Sequence, residues 1–341
     1  MSIKMLVYDF RPAEEAFFKN NNMENFDIKF FRESLTPETV KNLTQEEKDS
    51  VSVISVFIDS VVNEDVISQF KNLRIISTRS TGTDHICTES CGEKNIALVN
   101  VVNYGAKSVA QYITGLMIAL VRNIIPASEH VKYSTFKNCA DYIGRELSTL
   151  TIGIVGTGAI GAAVCKIASA FDMKIIAYDI YPKKELERLY NLKYVEMDEL
   201  LKTSDIISLH IPFTGNNAEM FSQKEFEQMK QGAYFINAAR GELVNIEALL
   251  NALKSGKLAG VALDVVMCEV STFRCDNNVD ISKLDEVCAK ELVSVKELVQ
   301  MENVIITPHA AYETQEAIDY ILKVTFDGIM DCIKGGTKYR V

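Results

Sequence analysis

The chain has 341 residues, 48% of them hydrophobic and 24% charged, and carries a formal net charge of −10. At roughly 150 residues per domain the length predicts two domains, and the composition is that of an ordinary globular protein. No tract of Lys and Arg offsets the acidic balance, which argues against a face for binding nucleic acid.

Eight cysteines, Cys87, Cys91, Cys139, Cys165, Cys268, Cys275, Cys288 and Cys332, are scattered without a CxxC pair. That spacing offers no zinc site, so no metal is expected. In a chain of this length it predicts free thiols in a reducing compartment. The apolar run 3–8 is followed at once by Asp9 and Arg11. It is too short for a secretory core of roughly 7–15 residues. No run of about 18 apolar residues suits a membrane span. The expectation is a cytoplasmic protein without a membrane partner.

In chain order, 3–8, 51–56, 73–77 and 96–100 read as strands. Each is a continuous apolar run, as in strands buried on both faces of a parallel sheet. The period then changes. Val109, Tyr112, Ile113, Leu116, Met117 and Leu120 fall at helical spacing and predict a helix over 107–122. From 151, strands at 151–155, 174–178, 206–209, 233–236 and 260–263 alternate with helices at 159–171, 198–203, 222–230 and 245–254. The polar stretch 270–300 reads as a loop with one helix near 285–299. A strand at 304–307 and a helix over 314–333 close the chain. This alternation predicts an α/β protein with a doubly wound sheet.

The segment Gly156-Thr157-Gly158-Ala159-Ile160-Gly161 lies between the strand 151–155 and a helix. In that context a GxGxxG has a mechanism. Gly156 permits the tight turn, Gly158 lets the backbone approach a pyrophosphate, and Gly161 lets the helix lie close to the sheet. The N–H groups of Ala159 and Ile160 would face the anion at the helix start. Asp179 ends the next strand, about 20 residues on, where a carboxylate accepts bonds from ribose hydroxyls. Ile180 and Tyr181 provide no cation for a 2′-phosphate, and Arg188 is the nearest downstream arginine. NAD is therefore expected over NADP.

Proton transfer near neutral pH points to histidine. Of four, His130 sits in a polar helical stretch, while His85, His210 and His309 all follow strands. In an open α/β sheet, ligands bind outside the carboxyl ends of strands, so position leaves these three open. Arg240 and Glu269 also follow strands. An arginine fork can hold a carboxylate bidentately, and a carboxylate beside a histidine fixes its tautomer.

At Asn237-Ala238-Ala239-Arg240-Gly241-Glu242-Leu243-Val244 the chain resembles the D-isomer-specific 2-hydroxyacid dehydrogenases, in particular their D-lactate branch. The likeness extends to 79–86, the glycine loop, 209–212, 258–265 and 306–309. It implies two Rossmann-like or flavodoxin-like domains with mostly parallel sheets and an active site in the cleft between them. Residues 1–102 with 305–341 would form the substrate domain and 103–304 the NAD domain. Arg240, Glu269 and His309 match the family's catalytic set, which chooses among the histidines. Thr81, Gly82 and Tyr104, with Arg240 and His309, are the implied substrate contacts. Cofactor contacts would come from Gly156, Gly158, Ala159, Ile160, Gly161, Asp179, His210, Ile211, Pro212, Asn217, Ala238, Ala239, Arg240 and Asp264.

The resemblance further implies NAD as cofactor, a homodimer, and pyruvate/D-lactate as the leading substrate pair. The alternatives are a bulkier acid (2-hydroxyisocaproate, phenyllactate or 2-hydroxyglutarate) or a non-catalytic NAD(H)-sensing protein. Several residues depart from the family pattern, some of them near where the substrate side chain should sit. They are Met267 in place of an acid, Gly105-Ala106-Lys107 after Tyr104, Gln111 for Glu, and Ala310-Ala311-Tyr312-Glu313 after His309. Phe57 and Tyr312 are candidates to line that pocket.

Overall fold

The computed structural model describes residues 2–21, 23–102, 104–135, 138–273 and 281–341. The chain divides into two compact units, Met1–Tyr104 with Glu313–Val341, and Gly105–Tyr312.

The first unit holds five strands: β1 (Ile3–Val7), β2 (Phe26–Phe30), β3 (Val53–Val56), β4 (Ile75–Thr78) and β5 (Ala97–Val99). They pair in the order β2-β1-β3-β4-β5, every pair parallel. Alternation along β1 builds two cores. Leu6 and Tyr8 join Ile54, Val56 and Ile76 on one face. Met5 and Val7 join Val53, Ile75 and Val99 on the other. The helix Gln315–Ile333 covers this second face with Phe326, Ile329 and Cys332. Gly328 of that helix has no room for a side chain, since a Cβ there would lie 2.5 Å from Val99.

The second unit holds seven strands: β6 (Thr151–Val155), β7 (Lys174–Tyr178), β8 (Leu192–Tyr194), β9 (Ile206–Leu209), β10 (Ala233–Asn237), β11 (Leu258–Leu263) and β12 (Val304–Ile306). The order is β12-β11-β10-β9-β6-β7-β8, again parallel throughout. The direction of winding reverses between β6 and β9, the switch point at which such sheets bind ligands. The apolar helix Ala106–Val121 buries Val109, Ile113, Met117 and Leu120 against the helix Ala159–Ala170 and β11. Among the described residues, no single helix is long and apolar enough to cross a membrane.

Four features differ from the sequence-based expectation. The segment 305–312 goes with the second unit, because β12 pairs with β11 through Val261, Ala262 and Leu263. The boundary falls at 312/313 for that reason. Strands β2 and β8 and the helix Lys184–Tyr190 had no predicted counterpart. The 270–300 stretch carries the expected helix, Glu286–Leu298, and also a short helix, Glu269–Phe273, while 274–280 lies outside the described residues. Last, Cys268 and Cys288 form a disulfide, with Cα atoms 5.6 Å apart. Their separation of 20 residues carries no motif, and only the return of the helix Glu286–Leu298 brings them together. Cys87, Cys91, Cys139, Cys165 and Cys332 are free thiols as expected, and Cys275 lies outside the described residues.

Candidate active site

Because every strand of the second sheet points the same way, its carboxyl ends collect along one edge. Gly156 follows β6, Asp179 follows β7, His210 follows β9, Arg240 follows β10, Asp264 follows β11 and His309 follows β12. Six predicted residues spread over about 150 positions thus share an edge through topology alone.

The glycine turn behaves as its sequence predicts. Gly156 adopts φ 92°, and a Cβ on it would strike Ile211 and the His210 carbonyl. A Cβ on Gly161 would lie 2.0 Å from the Gly156 carbonyl oxygen, so the helix Ala159–Ala170 packs directly on the turn. At Gly158 a Cβ would meet nothing within 4 Å. The protein leaves that face open beside the first N–H groups of the helix, Ala159 and Ile160, which have no intrahelical partner. The Asp179 carboxylate accepts from the Thr157 N–H at 2.6 Å, from Thr157 Oγ1 at 2.7 Å and from the Tyr181 N–H at 2.8 Å. Those bonds hold it below the usual carboxylate range against the opposing effect of burial. Lys183, not singled out from sequence, donates from Nζ to the Thr157 carbonyl at 3.1 Å.

His210 donates its backbone N–H to Val155, but its Nε2 is sealed from solvent with no partner among the described residues. Burial drives its pKa down to about 3, so the ring is neutral and cannot serve as a proton donor at neutral pH. An open glycine turn, unspent helix N–H groups and an orphaned buried nitrogen together fit a dinucleotide. Ile211 and Pro212 continue from His210, and Asn217 closes that turn, accepting from the Thr214 N–H and donating to the Pro212 carbonyl, both at 2.8 Å.

Arg240 stands just after Ala238 and Ala239, half-buried. Its backbone is fixed by Asn237, which donates to the Arg240 carbonyl and accepts from the Ala239 N–H. Among the described residues its guanidinium donates only to the Ala239 carbonyl, at 2.8 Å, and meets no carboxylate. Next to it, Gly241 leaves space for the backbone of Val266 and Met267, which would lie within 2.5 Å of a Cβ.

His309 Nδ1 is 2.8 Å from Glu269 Oε2. The histidine has φ 52°, a left-handed conformation that a Cβ-bearing residue keeps only when its surroundings over-determine it. Asp264 supplies that constraint. Its carbonyl accepts the His309 N–H at 2.8 Å, and its carboxylate accepts from Thr307 Oγ1 at 2.6 Å and from the N–H groups of Ala310 and Ala311 at 3.0 and 2.9 Å. Asp264 is fully buried, which raises its pKa against the pull of those bonds. Its carboxylate is thus a brace for the His309 turn, and a cofactor bond would have to use its one remaining lone pair.

The other two histidines stand elsewhere. His130 lies on the helix Ile124–Lys132 near Tyr142 and the exposed Glu302. His85, in the first unit, pairs with Thr78 Oγ1 at 3.0 Å, and burial lowers its pKa. That unit also holds Thr81 and Gly82 in a turn after β4. Thr81 Oγ1 donates to the Val101 carbonyl, Asn100 donates to the Thr81 carbonyl, and Ser80 Oγ donates to the Gly82 carbonyl. Among the described residues nothing accepts the Thr81 or Gly82 N–H. Tyr104 is the last residue of the unit's first segment.

A switch-point cradle for a dinucleotide beside a histidine–carboxylate pair defines a nicotinamide-dependent oxidoreductase. Similarity to known proteins narrows the class. The profile of the D-isomer specific 2-hydroxyacid dehydrogenase NAD binding domain matches residues 114–311. The chain is 33% identical over 339 residues to an aromatic 2-oxoacid reductase of Clostridium sporogenes, spanning 98% of both chains. It is 32% identical to a D-lactate dehydrogenase of Lactiplantibacillus plantarum, over 98% of this chain and 97% of that one. The solved D-lactate dehydrogenase of Aquifex aeolicus, complexed with NAD and lactic acid, superposes with a TM-score of 0.85 at 31% identity, covering 98% and 97% of the two chains. The chain belongs to the D-isomer-specific 2-hydroxyacid dehydrogenases and is an NAD-dependent oxidoreductase of that family.

Proposed function

We propose that the chain interconverts pyruvate and D-lactate, with Arg240, Glu269 and His309 carrying the reaction. The observation behind this assignment is the 2.8 Å pair of His309 and Glu269 on the same strand edge as an arginine that, among the described residues, meets no carboxylate. NADH, when bound, supplies the hydride for the carbonyl carbon. Arg240 offers the donors of its guanidinium that the Ala239 carbonyl does not take to the substrate carboxylate. Glu269 accepts from His309 Nδ1, which leaves Nε2 to give a proton to the carbonyl oxygen and to take it back in the reverse direction.

Gly156, Gly158, Ala159, Ile160, Gly161 and Asp179 would hold the adenosine and pyrophosphate of NAD. His210, Ile211, Pro212, Asn217, Ala238, Ala239 and Asp264 are retained as further cofactor contacts on the strength of the resemblance. Thr81, Gly82 and Tyr104 are retained as substrate contacts on the same ground.

A second reading is a bulkier 2-oxo acid. It is supported by the likeness to an aromatic 2-oxoacid reductase and by the small Ala310 and Ala311 after His309. A panel of pyruvate, 2-oxoisocaproate, phenylpyruvate and 2-oxoglutarate, each with NADH and NADPH, separates the two by kcat/KM. The first reading expects pyruvate with NADH to lead. A tenfold preference for phenylpyruvate would move the assignment to the second. NADH binding without turnover on any acid would overturn both in favour of a sensor.

We also propose a cytoplasmic homodimer. Its supports are the acidic, mostly thiol composition and the exposed apolar side chains Ile124, Val131, Tyr133 and Ile143 of the second unit. Light scattering of the purified chain checks the mass.

A further inference from the structure

The residue before Glu269 is Cys268, and the disulfide from it encloses Glu269 in a covalent loop that closes at Cys288. Cys288 and Glu291 lie three residues apart on the helix Glu286–Leu298, a spacing that puts them on one face. From that face two adjacent residues just before Glu269 are fastened. The Met267 N–H donates to Glu291 Oε1 at 2.9 Å, and Cys268 is bonded to Cys288. Glu291 itself is only 5% exposed. From the other side Gly241 lets the Arg240 turn press on the backbone of Val266 and Met267.

Cys268 has φ 55°, a left-handed conformation for a residue with a side chain. Such a geometry persists where neighbours enforce it, and the ties to the helix are what surround it here. Both cysteines are half-buried rather than sealed in a core. The deeply packed thiols differ in this respect, since burial pushes Cys91 up to about 11 and Cys165 up to about 12, which suppresses the reactive thiolate.

We propose that Cys268 and Cys288 are a reversible redox site that sets the placement of Glu269 against His309. This rests on reading Glu269 and His309 as the acid–base pair. The reactant class is a small-molecule disulfide. A thiolate of one cysteine attacks a sulfur of that disulfide, and one thiol leaves with the bonding electron pair and gains a proton. The second cysteine, as thiolate, attacks the mixed disulfide, the Cys268–Cys288 bond forms, and the second thiol leaves. The protein dithiol loses two electrons and two protons, and the small disulfide takes them up as two thiols. Closure fixes the turn into Glu269. Opening removes the covalent tie and leaves the bond from the Met267 N–H to Glu291.

The test uses the full-length enzyme with NADH and its best 2-oxo acid, after oxidised glutathione or after dithiothreitol, with the reagent removed. The expected oxidised form yields a Cys268–Cys288 linked peptide by mass spectrometry. Its kcat is at least threefold above the reduced form, short of the roughly 10²-fold that misplacing a reacting group by 1 Å can cost. KM for NADH stays unchanged, a split that general destabilisation would not produce. C288S and C268S should each hold the reduced kcat under both treatments, and circular dichroism shows that they fold. The proposal is overturned if no such link forms, if linked and reduced enzymes share one kcat, or if the folded variants still respond. An E269Q variant separates the two readings. Normal turnover in it removes the acid–base assignment, whereas low turnover with redox-insensitive wild-type enzyme removes only the switch.

Discussion

Asp264 holds His309 from both sides: its carbonyl accepts the His309 N–H, and its carboxylate accepts the N–H groups of the two residues that follow. A left-handed histidine at a strand end is thereby kept in one orientation by an acid that is itself fully buried. Removing the acid leaves buried donors unpaired, each costing roughly 1–3 kcal/mol. D264A should lose roughly 3 kcal/mol or more of stability on that basis, read as a lower denaturation midpoint, together with most of its turnover.

The proton donor and the carboxylate clamp should separate kinetically. H309Q is expected to lower kcat by roughly 10²-fold or more, while KM for NADH stays within about twofold, since interactions made only in the transition state act on kcat. R240K keeps the charge but loses the planar fork. Its main effect should be a kcat/KM for the 2-oxo acid lower by roughly 10-fold to 10²-fold, the scale of a charge-assisted hydrogen bond. Steady-state kinetics on both variants decides the point.

Burial raises the Glu291 carboxyl to about 7, with Glu242 and Glu219 pushing the same way and the Met267 N–H opposing. The folded chain therefore keeps a proton that the unfolded chain has released. Stability from this group is full below the ordinary carboxylate pKa and is lost as pH rises through about 7. E291Q keeps an oxygen to accept the Met267 N–H and has no such loss. Its melting temperature should exceed that of the wild type by a growing margin between pH 5 and 8, reaching roughly 3 °C. A constant margin across that range would contradict the assignment.

Gly158 tests the cofactor cradle without touching the fold. Its backbone is in a region open to any residue, φ −61° and ψ −158°, and no protein atom lies where a Cβ would go. G158A should melt within about 1 °C of the wild type while its Kd for NADH rises at least roughly tenfold, because the added carbon occupies the approach of the pyrophosphate. Calorimetry and NADH fluorescence titration measure both quantities.

Strands are legible in the sequence where burial is symmetrical. β3, β4, β6 and β9 are buried on both faces, and each reads as a largely apolar run. Two of the four edge strands, β2 and β8, are not legible in this way. β2, Phe-Asp-Ile-Lys-Phe, alternates because one face meets water, and β8 is three residues long. Edge strands kept short or charged resist adding a further strand, and the same traits hide them from a search for apolar runs. At the site, Gly156, Asp179, Arg240, Glu269 and His309 were legible because each closes or follows a strand or belongs to a motif. Glu291 and Cys288 were not, since they reach the Glu269 loop from a helix whose position depends on tertiary packing. Lys183, four residues after Asp179, was open to notice as a cation near the expected ribose site.

The first unit is assembled from both ends of the chain, and this bears on the order in which the protein becomes structured. A ribosome releases residues 105–312, the whole of the second unit, before the helix Gln315–Ile333 exists outside the exit tunnel. Until that helix emerges, Met5, Val7, Val53 and Ile75 lack the Phe326, Ile329 and Cys332 part of the cover on one face of their sheet. Domains generally fold as units during synthesis. A chain cut short before this helix would leave that apolar face exposed, and such a chain would be a client for chaperones.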